Sequence, residues 1–524
     1  MKKLPKGLST FSKIIEGDYI YVDKTNFIHE MINTGEIYFL SRPRRFGKTL
    51  LLSTLKELFL GNEKLFKRLY IWDKWDWKDT YPVIHLDFGS RSKKSPEKLT
   101  LSLNKFLNDV AKDYEIELED IDLLADKFEE LIKKLHKKTG KRVVVLIDEY
   151  DGPIIDCINN IKIANKNREI LSDFYQVLKA SDEHLRFIFL TGVSKFVRTS
   201  IFSKLNNLDD ITLNSRFSSI CGITQEELEK YFKEYIAIFS EKKNITIANS
   251  LNIIKKWYDG YSWDGENFLY NPFSILSLFN DMKVNNYWFD SGTPTFLSKI
   301  LKDENTDTEI FKNPQGEFSG TFPDFDIEHL DLTTILLQTG YLTIIEEEEH
   351  IDRLPTYKLA IPNKEVEESF YGYLIGFYTN RKPATTYPIV KKMYNYIIEC
   401  DELNLTKSLE ILLSSIPYIL DSKIHKNEAY YHILFLTWMK LMDFDIQGEV
   451  QTIKGRIDAV LKHKDEIVII EIKYSKSKTI DKMLNEAMAQ IMKKDYYKPY
   501  QDKSLTLLAI AFTEKDVGCK IKKI

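Results

Sequence analysis

The sequence predicts an α/β protein with a mainly helical middle region and a smaller α/β domain at its C-terminal end. Continuous apolar runs in the first half are rich in β-branched and aromatic residues, which is typical of buried parallel strands. Helical patterns separate these runs, and strands that alternate with helices indicate a doubly wound sheet. From about His425 the pattern becomes helix, two strands, helix and strand. The apolar runs are residues 37–41, 82–88, 143–147 and 187–191.

The chain has 524 residues, which is enough for several domains, since one domain takes about 100–200 residues. A stretch rich in charge, Asn, Gly and Pro at residues 303–326 is a candidate linker or long loop within the helical middle region. A short strand is predicted at residues 341–345. The predicted domains are residues 1–225, 226–420 and 421–524.

Composition excludes some classes of protein. Hydrophobic residues are 43% and charged residues 29% of the chain, so a packed core is possible and global disorder is excluded. The net charge of −4 argues against a protein that binds nucleic acid through bulk positive charge. Residues 421–524 contain 19 basic and 15 acidic residues, a net charge of +4. Any surface that binds a polyanion is therefore expected at the C-terminal end.

The cysteine pattern and the hydropathy pattern indicate a cytoplasmic protein. The four cysteines are far apart and form no CxxC pair, so neither a disulfide scaffold nor a structural zinc site is predicted. The first residues lack the apolar segment of a signal peptide. No uncharged apolar run approaches the roughly 18–20 residues that span a bilayer. We expect no membrane partner.

A phosphate-binding loop is predicted after the first strand. Residues 42–49, Arg-Pro-Arg-Arg-Phe-Gly-Lys-Thr, lie between this strand and a predicted helix, and they resemble a Walker A loop in its required context. Gly47 lets the backbone approach phosphates, Lys48 reaches the β- and γ-phosphates, and Thr49 offers a hydroxyl to Mg²⁺. The expected cofactors are therefore ATP and Mg²⁺. Arg42 stands where the general motif has its first glycine.

The third apolar strand ends in two carboxylates, as a Walker B motif does. Asp148 is expected to hold Mg²⁺ and Glu149 to orient or deprotonate the attacking water. A strand followed by a solvated acidic turn is the alternative, and the upstream loop disfavours it. Thr191 or Ser194 falls where a polar residue would contact the γ-phosphate. Arg198 is either an arginine finger or a solvated surface residue.

Four segments together resemble the AAA-ATPase-like family of bacterial proteins, over about residues 4–225. That family typically carries Arg-Pro-Arg-Arg-Phe-Gly-Lys, so Arg42 departs from the general loop but not from the family. For Asp23 or Thr25 in the first segment, the alternative to a family-specific role is to cap the helix that follows. The segments are residues 21–25, 42–49, 191–195 and 202–208. The resemblance implies that the nucleotide contacts are Arg42, Arg44, Arg45, Phe46, Gly47, Lys48, Thr49, Asp148 and Thr191.

A pair of carboxylates is predicted on a C-terminal hairpin. If Lys464 and Asp465 form its turn, the numbers of opposed residues sum to 929, and Asp458 then lies across from Glu471. Directly opposed like charges are unfavourable, with Cβ atoms about 4.5–5.5 Å apart, and a divalent cation between them removes the conflict. Lys473 lies two residues after Glu471 and therefore on the same face.

This D…ExK pattern resembles the PD-(D/E)XK nuclease superfamily, over about residues 425–515. The two carboxylates would hold Mg²⁺ or Mn²⁺, and Lys473 would position the nucleophile or neutralise the phosphate. An exposed ladder of salt bridges is the alternative explanation. His425 and His432 lie seven positions apart with no HExxH spacing, and no zinc site is predicted there. The candidate catalytic residues of the chain are Glu149, Glu428, Asp458, Glu471, Lys473 and Gln490.

The leading hypothesis is an ATP-driven, metal-dependent nuclease that acts on nucleic acid, with DNA favoured. One alternative is a nucleotide-dependent switch whose C-terminal domain grips nucleic acid or protein without cutting. Another is an ATPase whose nuclease-like domain only mediates assembly, and a homo-oligomer is compatible with all three.

Overall fold

A computed structural model describes residues 1–89, 91, 93–194, 208–288, 316–320, 331–379, 383–413, 428–440, 445–452, 455–463, 465–500 and 503–524. The described residues divide into two compact units, one that runs up to Glu365 and one that starts at Val366. Of the candidate linker 303–326, only residues 316–320 belong to the described part.

A five-stranded parallel sheet forms the centre of the first unit, in the order β2-β3-β4-β1-β5. This sheet confirms the α/β fold, and β4 lies between the strand before the loop and the strand that ends in Asp148. The strand β5 was not predicted, because two residues give no periodicity. The strands are β1 Ile37–Ser41, β2 Val83–Asp87, β3 Val143–Asp148, β4 Leu185–Gly192 and β5 Asp209–Asp210.

Helices cover this sheet, and the longer ones each bury an apolar stripe. The helix α3, which follows the loop, buries Leu51, Leu55 and Leu58 at the helical spacing of three and four residues. It packs against β3 and β2. The helices are α1 Phe11–Glu16, α2 Thr25–Thr34, α3 Lys48–Phe59, α4 Pro96–Asp113, α5 Leu124–Thr139, α6 Gly152–Ile155 and α7 Ile161–Ala180.

The rest of the first unit is mainly helical, as predicted, with a small antiparallel sheet in the order β6-β8-β7. Four helices at residues 225–281 share a buried apolar cluster, to which Leu228, Ile254 and Leu278 contribute. The sequence indicated only one strand of the small sheet. The elements are α8 Gln225–Tyr231, α9 Lys233–Lys243, α10 Ile247–Tyr258, α11 Pro272–Asp281, β6 Gly316–Ser319, α12 Leu332–Thr339, β7 Thr343–Glu348 and β8 Thr356–Ala360.

The second unit is built on a mixed sheet in the order β13-β12-β11-β10-β9, in which only β11 and β12 pair in parallel. The edge strands β9 and β13 were not predicted, because glycine and lysine interrupt their apolar pattern. The helix α17 packs against β11, β12 and β13. The elements are α13 Lys364–Thr379, which begins at the boundary, α14 Pro383–Ile398, α15 Glu402–Leu413, α16 Glu428–Lys440, β9 Asp445–Thr452, β10 Gly455–His463, β11 Glu466–Tyr474, α17 Ile480–Lys493, β12 Ser504–Phe512 and β13 Val517–Lys523.

Within the described ranges, every helix is too short or too polar to cross a bilayer.

Candidate functional site

The loop between β1 and α3 keeps an open space above its backbone. Gly47 has φ 98°, a conformation that side chains disfavour, and a Cβ atom there would meet no heavy atom within 4 Å. The helix α3 starts at the next residue, so its first backbone N–H groups have no partner within the helix. A helix N-terminus beside an open space suits an anion such as a phosphate group.

Lys48 is the first residue of α3, and its buried side chain reaches back to this loop. Its Nζ donates hydrogen bonds to the carbonyl oxygens of Arg42 at 2.7 Å and Pro43 at 3.0 Å. Burial lowers the pKa of Lys48, and the nearby Asp148 opposes that effect. The ammonium group of Lys48 is therefore held by two uncharged carbonyl groups, and an incoming anion would be a more favourable partner for it.

Asp148, at the end of β3, brings three predicted site residues together. Its Oδ2 accepts a hydrogen bond from Thr49 Oγ1 at 2.6 Å, and its Oδ1 accepts one from Thr191 Oγ1 at 2.7 Å. A carboxylate and a hydroxyl side by side offer the oxygen ligands that Mg²⁺ prefers. The residues present at this position therefore fit a magnesium ion.

Glu149 points to a different neighbour. Its carboxylate lies near Gly89, just after β2, where a Cβ atom would come within 3.0 Å of Glu149 Oε2. The ammonium group of Lys93 is 3.8 Å from Glu149 Oε2 and 3.1 Å from Asp156 Oδ2. Burial raises the pKa of Glu149, while Lys93 opposes that effect.

The side chain of Arg42 supports the loop from the buried core. Its guanidinium group is fully buried, donates to the carbonyl oxygens of Ser41 and Thr212 at 2.9 Å each, and stacks over Trp263 at 4.0 Å from the ring centroid. Burial lowers the pKa of Arg42 to about 10. The structure does not bring this side chain to the open space, because its terminal nitrogens already donate to carbonyl groups of the core. The side chain of Arg42 is therefore not placed for the predicted nucleotide contact.

The other predicted loop residues fall into two groups. Phe46 is buried and meets Tyr261 and Trp263 edge to face, at centroid distances of 4.8 and 5.2 Å. Arg44 and Arg45 are exposed beside the open space. Phe46 thus anchors the loop, while Arg44 lies 4.0 Å from Asp156 Oδ1 and Arg45 lies over the ring of Phe273 at 4.6 Å from its centroid.

An apolar cavity with a volume of about 100 Å³ adjoins Gly47. Its lining includes Val22, Phe46, Ile220 and Cys221. A mostly apolar cavity beside a phosphate-type loop suits a flat, weakly polar group such as a nucleobase. The sequence did not reveal this cavity, because its walls come from segments about 200 positions apart.

Asp151 fixes the segment that follows β4. Its Oδ2 accepts hydrogen bonds from the N–H groups of Val193 and Ser194 and from Ser194 Oγ, at 3.0, 2.8 and 2.7 Å. Of the two polar residues expected near the γ-phosphate, Ser194 is thus engaged with Asp151 and Thr191 with Asp148. Arg198 and most of the segment 202–208 lie outside the described residues.

The C-terminal hairpin has the predicted register. Cα pairs run from Ala459↔Ile470 to His463↔Glu466, and each pair sums to 929. The pairing with β11 reaches Ala459, one step from Asp458, whereas the register with β9 is the same on both sides of Asp458. The carboxylate Oδ2 of Asp458 accepts the N–H of Ile472 on β11 at 2.7 Å.

Glu471 is fully buried next to Asp458. Its Oε1 accepts a hydrogen bond from Lys473 Nζ at 2.8 Å, while its Oε2 has no hydrogen-bond partner among the described residues. Burial, and then repulsion from Asp458, raise the pKa of Glu471 to about 7, against the pull of Lys473 and Lys494. An orphaned carboxylate oxygen beside a second carboxylate fits a divalent cation.

The remaining predicted residues of this site contribute less in the described structure. No cluster of three metal-ligating side chains occurs in the described part of the chain. Glu428 begins α16 one turn before His432, and its side chain lies outside the described part. Gln490 is half-buried in the last turn of α17 and makes no hydrogen bond to Asp458 or Glu471. Lys494 and His432 were missed, because their importance depends on tertiary contacts.

Comparison with known proteins gives two family matches. The family model described as "Predicted AAA-ATPase" matches residues 5–202, and the PD-(D/E)XK nuclease superfamily model matches residues 426–522. A protein of Azotobacter chroococcum mcd 1, named for its place in the vnfD 5′ region, is 36% identical over 517 residues, covering 98% of this chain and 96% of that protein. The chain belongs to the AAA-ATPase-like family. Its C-terminal part is a PD-(D/E)XK nuclease superfamily domain.

Two solved structures resemble parts of this AAA-ATPase-like chain. The Aeropyrum pernix ORC2 protein, in ADPNP-ADP complexes, has 11% identity and a TM-score of 0.26, over 55% of this chain and 76% of that one. The Pyrobaculum aerophilum CDC6P structure has 10% identity and a TM-score of 0.24, over 70% of this chain and 93% of that one. Neither likeness bears on the activity of the AAA-ATPase-like chain.

The raised pKa of Glu471 predicts a pH-dependent stability of the metal-free AAA-ATPase-like protein. The folded chain keeps the proton up to about pH 7, whereas a free glutamate releases it near 4.5. The contribution to stability is therefore full below about pH 4.5 and is lost as the pH rises through 7. The free energy of unfolding should fall by about 2–3 kcal/mol from this group over that range.

Urea denaturation at pH 5 and pH 8 measures this effect. Glu471→Gln, which cannot ionise, should lack this component of the fall, and Mg²⁺ should restore stability to the wild type at pH 8. Equal pH dependence in the two proteins would contradict the assignment.

Proposed function

We propose that this protein binds and hydrolyses ATP with Mg²⁺, and that its C-terminal domain cleaves nucleic acid, with DNA favoured, in a reaction that needs a divalent cation. The observation that carries the nuclease part is the buried Glu471, whose Oε2 has no hydrogen-bond partner among the described residues and lies next to the carboxylate of Asp458. The family matches support the pairing of an ATPase-type domain with a nuclease-type domain.

At the nucleotide site, each residue has a role that its position supports. The open space at Gly47 and the first N–H groups of α3 would receive the phosphates, and Lys48 would exchange its carbonyl partners for phosphate oxygens. Asp148 and Thr49 would hold Mg²⁺. Glu149 would orient and deprotonate the attacking water, and the adjacent apolar cavity would hold the base.

At the nuclease-type site, Asp458 and Glu471 would hold the cation from two neighbouring strands. A bound Mg²⁺ or Mn²⁺ supplies charge stabilisation and an acidified water to phosphodiester hydrolysis. Lys473, which pairs with Glu471 in the metal-free chain, would turn to the phosphate and neutralise its charge. The net charge of +4 in residues 421–524 favours a polyanionic substrate.

The decisive experiment is incubation of the purified protein with plasmid and linear DNA, with and without Mg²⁺ and ATP. Cleavage that requires the cation supports the proposal. DNA binding without cleavage under all conditions would favour the alternative, a nucleotide-dependent binding switch.

Lys48→Ala should abolish ATP binding and turnover while the protein stays folded, because the cation inside the loop is lost. Nucleotide titration and phosphate release measure this, with circular dichroism for the fold. Lys56→Ala, on the same helix but outside the loop, is the matched control and should behave as the wild type. Normal turnover by a folded Lys48→Ala protein would refute the role of the loop.

Glu149→Gln should bind ATP as tightly as the wild type and lower kcat by about 100-fold or more, because it removes the base and keeps Asp148. Single-turnover hydrolysis and equilibrium nucleotide binding separate the two effects. A variant that fails to bind ATP would show that Glu149 has a structural role.

Asp458→Ala should lose cation-dependent DNA cleavage and keep ATP turnover, because the two sites lie in different compact units. Asp465→Ala, in the exposed turn of the same hairpin, is the control and should cleave normally. Cleavage by Asp458→Ala at the wild-type rate would assign the activity to other residues.

A further inference from the structure

We infer that His432 is a positioning residue for Asp458, and that it fixes the main chain of β10 so that this carboxylate stays beside Glu471. The inference rests on the proposed nuclease function. It concerns a residue that the D…ExK pattern does not include.

The need for such a residue comes from the point at which the pairing of β10 with β11 ends. On β9, Val450 pairs with Ile457 and Gly448 pairs with Ala459, so the register with β9 is the same on both sides of Asp458. The pairs with β11, in contrast, begin only at Ala459. A buried main-chain carbonyl without a hydrogen bond costs about 1–3 kcal/mol, so this position needs a donor from elsewhere.

His432 supplies that donor. Its Nε2 lies 2.8 Å from the carbonyl oxygen of Asp458, and because a carbonyl group only accepts, Nε2 carries the hydrogen. The imidazole is buried, and its helix α16 packs against β9 and β11. A rigid helix therefore holds the main chain of the residue whose side chain is expected to bind the cation.

The carboxylate of Asp458 is held from the other side. Its Oδ2 accepts the N–H of Ile472 on β11, the residue directly after Glu471. Two residues earlier, the hydroxyl of the buried Tyr496 donates to the carbonyl oxygen of Arg456 at 2.7 Å. These contacts thus hold β10 in place beyond Ala459, where its pairing with β11 ends. Loss of the His432 donor would let β10 shift relative to β11.

The test measures cation binding and does not depend on cleavage. Full-length wild type, His432→Gln, His432→Asn and His432→Phe are titrated with Mn²⁺ by calorimetry, and the rise in unfolding temperature with Mn²⁺ is measured against each protein's own metal-free value. The amide nitrogen of glutamine can reach the position of Nε2, whereas that of asparagine stops near the position of Nδ1. Thr437→Val is the matched control, since it removes a buried hydroxyl-to-carbonyl bond within the same helix.

We expect His432→Phe and His432→Asn to bind Mn²⁺ about 10-fold more weakly or worse, which is the usual effect of losing a group that orients a metal ligand. His432→Gln should recover most of the affinity, and Thr437→Val should match the wild type. If His432→Phe fails to fold, the comparison of Gln with Asn decides.

Two results would overturn the inference in distinguishable ways. Equal Mn²⁺ affinity in the wild type, His432→Asn and His432→Gln would remove the role of His432 and leave the proposed nuclease site intact. Absence of Mn²⁺ binding by the wild type would refute the metal site itself, and the inference with it.

Discussion

A charged group taken out of water must find an opposite charge or a hydrogen-bond partner, and this constraint organises the loop after β1. Lys48 meets it with two carbonyl groups of the loop, and Arg42 meets it with carbonyl groups of the core and the face of Trp263. Asp148 meets it with two hydroxyl groups from different elements. These partners hold the loop, α3 and the end of β3 together around the phosphate-type site.

In the second unit, a buried charged group satisfies this constraint less completely. Glu471 has one oxygen paired with Lys473 and one without a partner in the described chain, so its charge is only half compensated. Burial and the nearby Asp458 disfavour the ionised form of Glu471 and raise its pKa to about 7. A cation bound to the unpaired oxygen would compensate the cost of burying the ionised carboxylate. The incomplete pairing of Glu471 therefore favours cation binding.

Much of this arrangement could be predicted from local sequence. The tight turn of the hairpin fixes which residues oppose each other, so counting alone placed the neighbours of Asp458 correctly. Counting could not show that the pairing with β11 stops before Asp458, because the residue that donates to the Asp458 carbonyl group, His432, comes from a helix 26 positions earlier. The buried role of Arg42 was hidden for the same reason, since Trp263 lies in the helical region far along the chain.

The contact between Arg42 and Trp263 limits how the chain can be divided or varied. Trp263 and Tyr261 form the wall against which Arg42 and Phe46 pack, yet both lie beyond residue 202, where the matched ATPase segment ends. A fragment cut at that point would expose the stacked guanidinium face and an aromatic ring. Expression boundaries for the nucleotide-binding part therefore belong after residue 263, and positions 42 and 263 form a pair in which a change at one restricts what the other can become.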